Sequence, residues 1–127
     1  MREFKFRVFY PEYGQSQKPT MLYSKDYPTH GDLLMIAESD LLVLGPGSLM
    51  IMQYTGLKDK NGIEIFEDDI IEVANGDNNP ICKVEWLLGQ WCLMDEIGGS
   101  WTRQLYHQPD RLEIKGNIFE HKHLLEK

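Results

Sequence analysis

The sequence predicts a mainly β protein, a small antiparallel barrel or sandwich with little helix. Three features carry that expectation. Phe4, Phe6, Val8 and Tyr10 alternate with Glu3, Lys5 and Arg7, the period of two that marks a strand with an aromatic face and a charged face. From Ser48 onward, short runs rich in β-branched and aromatic residues recur roughly every ten residues. Clusters of turn formers separate them, among them Lys58-Asp59-Lys60-Asn61-Gly62 and Asn75-Gly76-Asp77-Asn78-Asn79-Pro80.

Taken in order, Arg2 to Ser24 is expected as an N-terminal hairpin. Its first strand is the alternating segment, its loop runs from Pro11 and Gly14 to Pro19, and Thr20 to Ser24 forms the partner strand. The stretch from Asp26 to Pro46 supports two readings. Leu33, Leu34, Ile36, Ala37 and Leu41 suit one face of a helix behind an Asp32 N-cap, and they suit two short buried strands broken at Glu38-Ser39-Asp40 equally well. Residues 30–44 therefore stay open. Leu49 to Tyr54, Ile70 to Ala74, Ile81 to Leu88, Gln90 to Met94, Trp101 to Tyr106 and Arg111 to Lys115 are expected strands, with a turn at His107 to Asp110. The tail from Phe119 to Lys127 suits one or two helical turns. No internal repeat, low-complexity tract or linker interrupts the chain, so residues 1–127 read as one domain, with any division into lobes at 1–53 and 54–127.

Composition narrows the function classes. A chain of 127 residues that is 42% hydrophobic and 26% charged packs as one domain. Its 13 Lys and Arg against 20 Asp and Glu leave a net charge of −7, which opposes a nonspecific nucleic-acid coat, because phosphates need a basic footprint. The longest apolar run, Leu33 to Ala37, is far too short to span a membrane, and Met1 to Lys5 lacks the apolar stretch of a secretory signal. The expected location is the cytoplasm. Cys82 and Cys92 are expected as thiols rather than a disulfide. A hairpin turning at Gly89-Gln90 pairs residues whose numbers sum to about 179, so Cys82 faces a position near Ile97 and Cys92 faces Leu87.

The segment Leu49-Met50-Ile51-Met52-Gln53-Tyr54-Thr55-Gly56-Leu57-Lys58-Asp59-Lys60-Asn61-Gly62, continuing through Ile63-Glu64-Ile65-Phe66-Glu67-Asp68-Asp69-Ile70-Ile71, resembles the signature of the YopX family of phage and prophage proteins. The opening Met1-Arg2-Glu3-Phe4-Lys5-Phe6-Arg7 and the closing Gly116-Asn117-Ile118-Phe119-Glu120 resemble the two ends of that family. Met52 to Gly62 fits without a gap, whereas Pro11 to Ser48 and Asn75 to Pro109 carry little resemblance. Three residues depart from the pattern: Asp68 where Gly is usual, Phe66 where Tyr is usual, and Lys115 where an apolar residue is usual. Either the left-handed turn at residue 68 is absent, or it is present and Asp tolerates it better than most side chains do. The resemblance implies a mainly β protein with an SH3-like barrel, of phage or prophage origin, and it brings no established activity or binding site. The same residues read alone are structural: Asn61-Gly62 supplies a tight turn, Gly56 lets the chain bend, and Glu67-Asp68-Asp69 forms an acidic corner leading into a strand.

Several groupings bear on chemistry. Glu64, Glu67, Asp68, Asp69 and Glu72 place five carboxylates in nine residues, a pattern that suits a divalent metal or acid/base work, but the oxygen-ligand and glycine spacing of a calcium loop is missing. A solvated acidic turn is the simpler expectation. Pro109-Asp110 and Glu113-Ile114-Lys115 superficially resemble the elements of a restriction-type nuclease, yet they lie on one short segment and cannot converge on a metal from different strands. His121 and His123, with His107 and a thiol, do not form the paired ligands of a zinc site. Ser100 and Thr55 lack a nucleophile elbow, and Gly45-Pro46-Gly47 and Gly98-Gly99 lack the base of a phosphate loop. Trp86, Trp91 and Trp101 have only Lys83 and Arg103 as nearby bases, with Glu85, Asp95 and Glu96 close by, which favours core or protein-interface aromatics over base stacking.

The expected function is a non-enzymatic accessory module of a phage or prophage that binds a protein partner, from phage or host, and self-associates as a homo-oligomer. No catalytic, cofactor-binding or metal-binding residue is assigned, and no cofactor, nucleic acid or membrane is expected as a partner. Two alternatives come from other classes. One is a nucleic-acid-handling module using Lys83 and Arg103 beside the tryptophans. The other is a metal-dependent hydrolase using Glu67, Asp68, Asp69 and Glu72.

Overall fold

The structure, a computed structural model, describes residues 4–74, 80–87, 89–94, 102–104, 109–121 and 124. Among them, in chain order, lie strands β1 (Phe6–Tyr13) and β2 (Lys18–Tyr23), helix α1 (His30–Leu44), and strands β3 (Met50–Lys58), β4 (Glu64–Phe66), β5 (Asp69–Val73), β6 (Ile81–Leu87), β7 (Gln90–Met94), β8 (Thr102–Gln104) and β9 (Leu112–Asn117). Short 3-10 turns occupy Ser24–Asp26 and Pro109–Arg111. The protein is mainly β, as the turn spacing predicts, and it divides into two units, residues 1–54 and 55–127.

In the first unit β1 is the central strand, antiparallel to β2 on one side and to β3 on the other, with Val8 opposite both Leu22 and Ile51. Successive residues of a strand point to opposite faces, so a run of buried residues means that both faces are covered. Arg7, Val8, Phe9 and Tyr10 are accordingly all buried. This corrects the expected alternation, because Arg7 belongs to the predicted charged face and Phe4, predicted on the aromatic face, is exposed. The Arg7 guanidinium is accommodated in part by donating from Nε to Met52 Sδ at 3.3 Å. β1 also runs past Pro11 to Tyr13, where its pairing with β2 shifts register between Tyr10 and Tyr13.

Residues 30–44, open in the sequence, form one helix. Its N-cap is Thr29, not Asp32. Thr29 Oγ1 accepts from the Asp32 N–H at 3.2 Å while Asp32 Oδ2 accepts from the Thr29 N–H at 3.1 Å, a reciprocal capping box. At the other end Gly45 takes φ 90° and donates its N–H to Leu41 O. Start and stop signals that bracket 15 residues decide for the helix over two strands. Leu33 and Ala37 pack with Val8, Tyr10 and Leu49 to form the core of this unit.

The second unit contains the antiparallel order β8-β7-β6-β5-β9. Ile65, Ile71, Val73, Cys82, Val84, Trp91, Leu93 and Leu112 form its core. β4 is not among the expected strands; three residues are too few to show a period of two. The β6–β7 hairpin pairs Leu87 with Gln90 and Glu85 with Cys92, so facing numbers sum to 177 rather than 179. Gly89, at φ 81°, closes the turn, and Gln90 already belongs to the strand. Cys92 therefore faces Glu85, not Leu87, and the position opposite Cys82 lies outside the described residues. Both cysteines are buried thiols outside any disulfide, and the register puts them on opposite faces of the sheet. The expected turn at 75–79 and most of the expected helical tail also lie outside the described residues.

Candidate functional site

The family-like segment is a set of turns held by side chains. Asp59, only 2% exposed, is its centre. Its Oδ1 accepts from the Asn61 and Ile63 N–H groups, each at 2.9 Å, and its Oδ2 accepts from the Ile114 N–H at 3.0 Å. One carboxylate thus shapes the 59–63 turn and ties it to β9. Gly62 supplies the positive φ, 78°, that this turn needs. Thr55, weighed as a nucleophile, donates from Oγ1 to Ile65 O at 2.8 Å and accepts there from the Leu57 N–H at 3.2 Å. The hydroxyl is engaged on both sides by backbone.

The acidic corner is built the same way. Asp69 is buried, and its Oδ2 accepts from the Phe66 N–H at 2.8 Å across the β4–β5 turn. Asp68 has φ 68°, so the left-handed turn is present and Asp occupies it. Its main chain is bonded on both sides, the N–H to Val84 O and the carbonyl from the Ile118 N–H. Glu72 points elsewhere, into an ion-pair network: Lys115 Nζ lies 3.7 Å from Glu72 and bonds Glu113, whose other oxygen is 2.9 Å from Lys60 Nζ. Glu72 and Glu113 face each other across β5 and β9, and the two lysines offset that like-charge pair. They hold the Glu113 carboxyl down to about 2, Lys115 most strongly, and Glu113 in turn raises the ammonium pKa of Lys115. Among the described residues no group of three or more His, Cys, Asp and Glu side chains is placed to hold a metal ion.

The remaining candidates separate in space. Asp110 is exposed in the 3-10 turn before β9, while Glu113 and Lys115 are bonded to each other. His121 accepts at Nδ1 from the Asn117 N–H, 3.2 Å away, and packs so closely on Gly116 that a Cβ there would run into its ring. Asn117 Oδ1 accepts from the Phe119 and Glu120 N–H groups, so the closing Gly-Asn pair is a turn lock. Trp86 and Trp91 face each other across the β6–β7 hairpin, ring centroids 4.9 Å apart and edge to face, with Trp86 exposed. Lys83 is ion-paired with Glu85 at 2.5 Å. Ser100, Trp101, His107, His123, Gly98-Gly99, Asp95, Glu96 and the side chain of Arg103 lie outside the described residues.

Two features of the first unit were not singled out by residue pattern. One is the outward side of α1. Leu42 is 88% exposed, Val43 83% and Met35 70%, and Ile36 is exposed beside them. At about 100° per residue these four flank Ser39 on the side opposite Leu33 and Ala37. The signal was present in the sequence, since apolar residues occur all round this helix. The other is a cleft of about 540 Å³ between the ends of β1 and α1, lined among others by Tyr10, Glu12, Tyr13, Gln17, Asp40 and Ser48. Tyr10 Oη donates to Asp40 Oδ2 at 2.6 Å, and the phenol is held well above its usual range, by burial first and by Asp40 second. These residues are thirty apart in the chain, and no local motif announces them.

Comparison with known proteins agrees with the signature residues. The chain is similar over 99% of its length to protein EF1440 from Enterococcus faecalis, whose crystal structure is covered in full with 20% identity and a TM-score of 0.54; at that identity the likeness is one of fold. Among curated proteins none matches this chain. The family model described as YopX protein matches residues 5–126, nearly the whole sequence, and the chain therefore belongs to the YopX family.

Proposed function

We propose that this protein is a non-enzymatic accessory module of a phage or prophage, cytoplasmic, that works through protein contacts and self-associates through the outward side of α1. Its second unit is read as an SH3-like barrel. The observation that supports this function is the double-sided helix: one side of α1 forms the core of its unit, and the other presents Met35, Ile36, Leu42 and Val43 to water. A helix that is apolar all round is ordinarily covered on both sides. From their fractional exposures these four residues offer roughly 550 Å², approaching the ~800 Å² that each partner contributes to a standard interface. The stripe is also self-complementary. A two-fold axis at the small Ser39 sets two antiparallel copies so that Ile36 meets Leu42 and Met35 meets Val43, and each contact is made twice.

The motif carboxylates add to the non-enzymatic reading, since Asp59 and Asp69 are engaged by backbone N–H groups rather than left to act on a substrate. Light scattering across a hundredfold dilution tests the assignment. The expected result is a dimer or larger species that Met35→Glu with Leu42→Glu converts to a folded monomer. A strict monomer at high concentration refutes it. The exposed ring of Trp86 is what favours the second reading, nucleic-acid handling, and a salt series on DNA and RNA binding separates the two.

A further inference from the structure

The cleft between β1 and α1 has a composition that the apolar side of the helix does not explain. It is lined by two tyrosines and two carboxylates, with Pro11, Gln17 and Ser48 among the rest, and among the described residues no Lys or Arg contributes to the lining. The nearest base by register is Lys18, which faces Tyr13 across the β1–β2 hairpin without lining the cleft. Asp40 is fixed at the wall by the Tyr10 hydroxyl through Oδ2, and among the described residues Oδ1 has no partner. Glu12 is exposed and has no ion pair among the described residues. Tyr13 keeps 39% of its surface open and is steadied edge-to-face by Tyr10, ring centroids 5.0 Å apart.

We infer that this cleft receives a basic side chain of a protein partner, with arginine preferred. An aromatic ring beside two uncompensated carboxylates attracts an organic cation by its quadrupole and by charge together. Arginine suits it better than lysine. The guanidinium is weakly hydrated, stacks flat on a ring, and offers several N–H donors in a fixed fork to carboxylate oxygens. A volume of 540 Å³ exceeds one guanidinium and accommodates an arginine together with the backbone on either side of it, which points to a peptide segment rather than a free small cation. Tyr10 contributes by positioning: its hydroxyl holds one Asp40 oxygen and leaves the other for the ligand.

The test uses the full chain, labelled with nitrogen-15 and titrated with the blocked tripeptide N-acetyl-Gly-Arg-Gly-amide. Saturable shifts are expected at the backbone amides of Glu12, Tyr13, Gly14, Gln17 and Gly47, with binding that weakens as salt is added. The same peptide with citrulline, which keeps the shape and loses the charge, is expected to bind at least about tenfold more weakly. Asp40→Asn, which retains an oxygen for the Tyr10 hydroxyl, is expected to cost about tenfold in affinity. Tyr13→Leu, at the exposed end of β1, leaves the Tyr10–Asp40 bond in place and is expected to weaken binding while the protein still unfolds cooperatively, with only the small loss of the ring pair. Equal binding of the citrulline peptide overturns the inference. So do shifts scattered over the acidic surface, or saturation of the same amides by guanidinium or spermidine with the affinity of the peptide.

Discussion

Replacing Asp59 with Asn probes the most connected side chain of the second unit. Asparagine keeps one carbonyl oxygen, which can stand where Oδ1 accepts from Asn61 and Ile63, but it puts an NH₂ group where Oδ2 meets the Ile114 N–H at 3.0 Å. Two donors then face each other at a site that is 2% exposed. A buried N–H left without its acceptor costs about 1–3 kcal/mol, and reducing two charge-assisted bonds to neutral ones costs about 0.5–1 kcal/mol more in total. The expected loss is about 3 kcal/mol. With a urea m-value near ~1.5–2 kcal/mol/M for a chain of this size, the midpoint falls by roughly 1.5–2 M at unchanged slope. Tryptophan fluorescence reports it, because Trp86 and Trp91 belong to the same unit as Asp59. A loss below about 0.5 kcal/mol would refute the reasoning, since water or another acceptor would then be satisfying Ile114.

Two further outcomes follow from the same geometry. Asp68→Gly, which restores the residue usual in the family, relieves a non-glycine φ of 68° and keeps both main-chain bonds of residue 68; thermal unfolding should rise by a few degrees, about 0.5–1 kcal/mol, after the extra chain entropy of glycine is discounted. A lower midpoint would show that the Asp68 side chain contributes more than its backbone costs. The Glu113 carboxyl, ordinarily near 4.5 and pulled down to about 2 by Lys115 and Lys60, is charged in the folded state over a range where the unfolded chain is protonated, so its stabilisation is present above pH 4.5 and is lost as pH falls from 4.5 towards 2. Carboxyl NMR should place its midpoint near that low value and move it upward in about 1 M NaCl, and a midpoint at the ordinary value would mean that the lysines do not hold it in solution.

The fold class was legible because turn chemistry is local. Asn61-Gly62 needs positive φ whatever surrounds it, and spaced turn clusters leave room only for short strands, which is why Gln90–Met94 matches its expected limits and Ile81–Leu87 lies within its own. The helix was harder to read. Its capping box spans Thr29 to Asp32, three residues ahead of an expected N-cap, and its apolar residues lie all round, so periodicity alone did not choose between helix and strand. The hairpin register slipped by two because a turn one residue earlier changes every facing pair.

By itself the sequence determined the mainly β class, the family and the places where the chain must turn, all of them properties of a residue and its near neighbours. Only the tertiary structure decided which polar groups are buried and what they hold. Arg7 is inside because both faces of β1 are covered, and Asp59 is a clamp because Ile114, 55 residues away, brings its N–H to the second oxygen. The cleft exists because Tyr10 on a strand meets Asp40 on a helix 30 residues later. Burial and pairing at such separations depend on chain closure and packing, which no window of neighbouring residues contains.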